Sequence, residues 1–77
     1  MDIFRERLKE LRKSKNFSQK QLAEILQTNN SSLCDWERGR AEPCLETIVK
    51  IAVLFDVTTD YLLGLEDEDG SKINLKF

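Results

Sequence analysis

Residues 18–39 read SQKQLAEILQTNNSSLCDWERG, and this stretch decides the fold. Ser18-Gln19-Lys20-Gln21 is a capping box: the Ser18 hydroxyl serves the amide of residue 21 while the Gln21 side chain reaches back to the cap. Phe17 and Leu22 stand where a hydrophobic staple would close over that turn. A helix of about nine residues therefore starts at Ser18, with Leu22, Ile25 and Leu26 as its buried stripe and Ala23 small enough for another helix to approach closely. It stops near Gln27, because Thr28-Asn29-Asn30-Ser31-Ser32 is a cluster of cap and turn formers. Asn29 then caps a second short helix whose apolar residues are Leu33 and Trp36, and Gly39 is placed to end it. At 100° per residue, Ser31, Cys34, Asp35 and Arg38 fall opposite that apolar pair.

Similar punctuation continues on both sides. Asp2 caps a helix over about residues 2 to 15, in which Phe4, Leu8 and Leu11 recur at helical spacing, and Asn16 tolerates the left-handed conformation that ends it. Downstream of Glu42-Pro43, Cys44 to about residue 55 forms a fourth helix with Leu45, Ile48, Ile51, Ala52 and Phe55 inward. Thr58 opens a fifth, stapled by Val57 and Leu62 and stopped by Gly64. The fold class is thus all-α, a compact five-helix domain over residues 1–64. Residues 65–77 make an acidic linker and tail: Glu66-Asp67-Glu68-Asp69-Gly70-Ser71 is a charge run that cannot pack. In Lys72-Ile73-Asn74-Leu75-Lys76-Phe77 strict alternation signals a short strand, which either pairs with a copy of itself in a dimer or frays as a tail.

The composition excludes more than it assigns. Seventy-seven residues allow one small core. The longest apolar run, Ile51-Ala52-Val53-Leu54-Phe55, is far below the roughly 20 residues that cross a bilayer, so a cytoplasmic protein without membrane contact is expected. With no histidine, a Ser–His or Cys–His pair is impossible, and Cys34 and Cys44 lack the spacing and the partners of a zinc or redox site. No glycine lies in a phosphate-binding loop. Neither catalysis, a cofactor, a metal nor a small-molecule ligand is expected. Taken as a total, the net charge of −2 argues against a polyanion as partner. The charge is unevenly spread, however. Residues 5–20 hold seven Lys/Arg against two Asp/Glu, whereas residues 51–77 hold two against six. Screening confines surface fields to about 8–10 Å, so the local sign matters more than the total.

Two short helices joined by a tight turn, the second with small polar side chains outward, outline a helix-turn-helix whose second helix enters the major groove. Beyond that outline, residues 8–64 resemble the phage Cro/C1-type repressors, the XRE family of helix-turn-helix regulators with a lambda-repressor-like fold. The resemblance is carried by Leu11-Arg12, Phe17-Ser18-Gln19, Leu22-Ala23, Leu26, Ser32-Leu33, Trp36-Glu37-Arg38-Gly39, Pro43, Ile51-Ala52, Phe55, Val57 and Tyr61-Leu62-Leu63-Gly64.

The resemblance implies a sequence-specific DNA-binding transcriptional regulator, a repressor on a palindromic double-stranded operator, acting as a homodimer. It places Ser18 among the DNA-binding residues and Gln19 at the DNA backbone, with Gln19 also bracing the first residue of the recognition helix. Thr28, Asn29, Asn30, Ser31 and Asp35 match positions that face DNA, and Arg38 and Arg40 match positions that meet phosphates. Arg12 and Glu37 match an ion pair behind the recognition helix, and Trp36 belongs to the core. The residue chemistry is compatible. Asn30 suits a bidentate contact to adenine, and a helix start near Asn29 offers free amides to a phosphate. Two positions depart from the pattern. Gln27 stands where the family often has a turn glycine, at about 1 kcal/mol if that residue is left-handed. Asp35 places a negative charge toward the groove, where it can accept from cytosine N4. Dimerisation is expected through Tyr61, Leu62 and the tail residues Ile73, Leu75 and Phe77. The alternative from another class is a protein-interaction module, antitoxin-like or antirepressor-like, in which DNA contact is secondary.

Overall fold

Five helices follow one another in a computed structural model that describes residues 2–65: α1 (Asp2–Ser14), α2 (Gln19–Ile25), α3 (Asn30–Arg38), α4 (Leu45–Phe55) and α5 (Thr59–Leu63). No strand occurs among the described residues. The alternating segment 72–77, and with it the tail beyond Leu65, lies outside them.

Three helix starts use the caps read from the sequence, whereas Asp2, expected to cap α1, is its first residue and accepts from Arg5 Nε. Ser18 closes the capping box on Gln21, Asn29 accepts from the Ser32 amide, and Thr58 accepts from the Tyr61 amide. The helix ends share one device. In each, a left-handed residue donates to the carbonyl three residues before it and the next residue donates to the carbonyl one position earlier, which satisfies carbonyls that a helix terminus leaves open. The paired donors are Asn16 and Phe17, Gln27 and Thr28, Gly39 and Arg40, Asp56 and Val57, and Gly64 and Leu65. Three of the five left-handed residues are not glycine: Asn16 (φ 59°), Gln27 (φ 59°) and Asp56 (φ 54°). Each abrupt reversal lets a short helix fold back onto its predecessor.

The core is Phe4 and Leu8 of α1, Leu22, Ala23 and Leu26 around α2, Leu33 and Trp36 of α3, Ile48, Ile51, Ala52 and Phe55 of α4, and Leu62 of α5. Leu11, Phe17, Leu54, Val57 and Leu63 pack against it half-buried. Two apolar residues expected inside are outside. Ile25 is 46% exposed, because the reversal at Gln27 ends α2 after seven residues and the burial falls on Leu22, Ala23 and Leu26 instead. Leu45 is 78% exposed, because it opens the first turn of α4, a full turn before the buried series that starts at Ile48.

Candidate nucleic-acid interface

The rear of α3 is fastened to α1 and α2 by one buried carboxylate. Glu37, 2% exposed, receives Arg12 Nε on Oε2 at 2.6 Å, and on Oε1 both Arg12 Nη2 and the Gln19 amide, each at 3.1 Å. Arg12 uses its remaining arm on the Phe17 carbonyl at 2.9 Å, so it ties the α1–α2 connection to the same point. Every buried side-chain polar atom among the described residues has a partner. A fully paired cluster of this kind fixes where one helix sits relative to two others.

Held from behind, α3 leaves its other face outward. Asn30, Ser31 and Arg38 are exposed and Cys34 and Asp35 half-buried. Leu33 and Trp36 point into the core, which places Trp36 where the sequence put it. At the front of α3, the Asn29 side chain takes the Ser32 amide at 2.7 Å and its carbonyl takes the Leu33 amide. The amides of Asn30 and Ser31 are left at the positive end of the helix dipole, an arrangement suited to an anion. Thr28 is half-buried in the turn before it, its amide bonded to the Ala23 carbonyl. Ser18 is exposed at the head of α2. Arg40 is exposed in the connection after α3.

Gln19 is placed differently from the expectation. Its amide goes to Glu37, at the far end of α3, rather than to the first residue of that helix. The sequence carried no sign of Arg5 at this edge: a Cβ on Gly39 would meet Arg5 Cδ at 3.0 Å, so this side chain lies against the end of α3 at Gly39. Nothing in the spacing along α1 announces that contact, since it depends on the crossing of α1 and α3.

The expected dimer surface needs correction. Leu62 is fully buried, a core residue that cannot touch a partner, because α5 turns this side chain onto the bundle. Tyr61 is half-buried, with the Arg7 guanidinium 4.1 Å above its ring centre, while Arg7 also donates to the Tyr61 carbonyl. Ile73, Leu75 and Phe77 lie outside the described residues. Elsewhere, Cys34 and Cys44 are free thiols. The Thr47 hydroxyl, 3.4 Å from its sulfur, holds the Cys44 thiol below the usual cysteine range, helped by backbone amides at the start of α4. Among the described residues no helix is long and apolar enough to cross a membrane.

Comparison with known proteins agrees with this geometry. The helix-turn-helix family profile matches residues 8–62. The HTH-type transcriptional regulator ImmR of Bacillus subtilis (strain 168) is 42% identical over 66 residues, covering 86% of this chain and 51% of ImmR. The chain spans about half the length of several curated relatives it matches. Among solved structures, the restriction-modification controller protein C.AhdI from Aeromonas hydrophila superposes with a TM-score of 0.70 at 34% identity, over 79% of this chain and 92% of that one. The P22 c2 repressor in complex with a synthetic operator superposes with a TM-score of 0.73 at 26% identity, over 80% and 94%.

Proposed function

The chain belongs to the Cro/C1-type helix-turn-helix family of DNA-binding transcriptional regulators, and from that premise we propose that it is a cytoplasmic repressor that binds a two-fold operator as a homodimer. In this reading α3 lies in the major groove. Asn30, Ser31 and Asp35 address base edges, while Ser18, Gln19, Thr28, Asn29, Arg38 and Arg40 meet the backbone. The observation that carries it is the buried Glu37 cluster. It fixes α3 from behind with two arginine bonds and one glutamine bond, leaving the opposite, polar face exposed. A recognition helix needs that rigidity, because phosphate contacts set the register in which base contacts are read. The printed names of relatives support it as well: ImmR is a transcriptional regulator, and the P22 c2 repressor was solved on an operator.

Two subunits related by a two-fold axis would present recognition helices about 34 Å apart, one turn of the duplex. Random-site selection with the purified chain tests this. It should enrich a palindromic site whose log K falls linearly with log salt, and Arg40→Ala should reduce that slope by about 1. Selection of no sequence, with affinity for DNA insensitive to salt, would instead favour a protein-interaction module.

A further inference from the structure

The helix α4 carries apolar side chains that the bundle does not use. Leu45 is 78% exposed, Val49 52% and Val53 75%, at positions i, i+4 and i+8. Of the other large apolar residues exposed among those described, Ile3 lies on α1, Ile25 on α2 and Leu65 after the end of α5. At 100° and 1.5 Å per residue the three α4 residues form one stripe about 12 Å long, centred on Val49. A contiguous apolar stripe on so small a domain marks a contact surface.

We propose that this stripe is the face on which a second copy of the chain docks, with the two α4 helices antiparallel across a two-fold axis at Val49. This deepens the homodimer reading above and rests on it. The stripe is self-complementary in that orientation. Val49 meets its own copy, and Leu45 of each chain meets Val53 of the other. The flanking charges choose the same orientation. Glu46 and Lys50 are exposed on one flank of the stripe. An antiparallel pair brings Glu46 of each chain to within two residues, about 3 Å along the axis, of Lys50 in its partner. In a parallel pair the two-fold axis runs along the helices and carries the two Glu46–Lys50 flanks to opposite sides of the interface, so Glu46 would not face Lys50 of the partner. The area is small, at the low end of the size range below about 1,200 Å², so the free dimer is a weak one that binding to both half-sites consolidates.

Sedimentation equilibrium of the full chain, with circular dichroism to check folding, tests the proposal. The native chain should dimerise reversibly. Val49→Glu, at an already exposed position, should stay folded and weaken the dimer at least about 100-fold by placing two carboxylates on the axis. Glu46→Lys should weaken it about 10-fold, and the swap Glu46→Lys with Lys50→Glu should return it to within about 3-fold of the native value. A dimer unaffected by Val49→Glu, or a swap no better than Glu46→Lys alone, would overturn the α4 interface and leave homodimerisation standing. A native chain that stays monomeric at millimolar concentration, its stripe covered by residues 66–77 or by another protein, would overturn both.

Discussion

Arg12 grips Glu37 with two separate bonds, Nε to Oε2 at 2.6 Å and Nη2 to Oε1 at 3.1 Å, and both side chains are withdrawn from solvent. Removing one partner leaves the other buried and unpaired. Arg12→Met and Glu37→Leu should therefore each destabilise by about 3–5 kcal/mol, while the two together should be mild, because no charge is stranded. Urea unfolding of a double-mutant cycle measures the coupling. Additive single effects would mean that the pair does not act as a unit.

Gln27 is left-handed (φ 59°) at the hinge of the helix-turn-helix. A long side chain there costs on the order of 1 kcal/mol, part of which glycine gives back through unfolded-state entropy. Gln27→Gly should stabilise the domain by about 0.5–1 kcal/mol, visible as a few degrees in Tm. Asn16→Gly, at the same φ, should gain less, since asparagine tolerates this region. Equal gains at both positions would remove side-chain type from the explanation.

The Cys44 thiol is exposed and stabilised as thiolate by the Thr47 hydroxyl. Its ionisation in the folded chain therefore falls at lower pH than in the unfolded chain. The small stability it adds is present above the unfolded pKa and lost as pH falls through the folded one. Alkylation followed by mass spectrometry across pH should show Cys44 reacting at lower pH when folded than in urea. Thr47→Val should move the folded profile upward. An unchanged profile in that variant would exclude the hydroxyl as the cause.

Most of the fold was legible because the signals that set it are local. The capping box at Ser18, the Asn29 and Thr58 caps, and the stops at Asn16, Gly39 and Gly64 each lie within one turn of what they terminate. Asp56 escaped notice since aspartate gives a weaker signal for the left-handed region than glycine or asparagine. Ile25 and Leu45 were misplaced for a different reason: periodicity says which residues share a face but not where a seven-residue helix stops or which turn first meets the bundle. In the candidate interface, the outward face of α3 followed from spacing. The partners of Gln19 and the position of Arg5 against Gly39 depend on how α1, α2 and α3 cross, which one-dimensional patterns do not encode.

Asp35 is half-buried beside Ser31 and Arg38 on the outward face of α3, where a carboxylate repels phosphate. A negative side chain there is useful for discrimination, by accepting from cytosine N4 at one base pair and penalising every other base. Asp35→Ala should then raise affinity for non-specific DNA while flattening preference at one position of the selected site, with a loss of about 1–3 kcal/mol in discrimination there. Titrating the native chain and the variant against single-base operator substitutions at fixed salt separates the two effects. If all sequences tightened by the same factor, Asp35 would contribute electrostatic repulsion alone, and the base contact assigned to it would have to pass to Asn30 or Ser31.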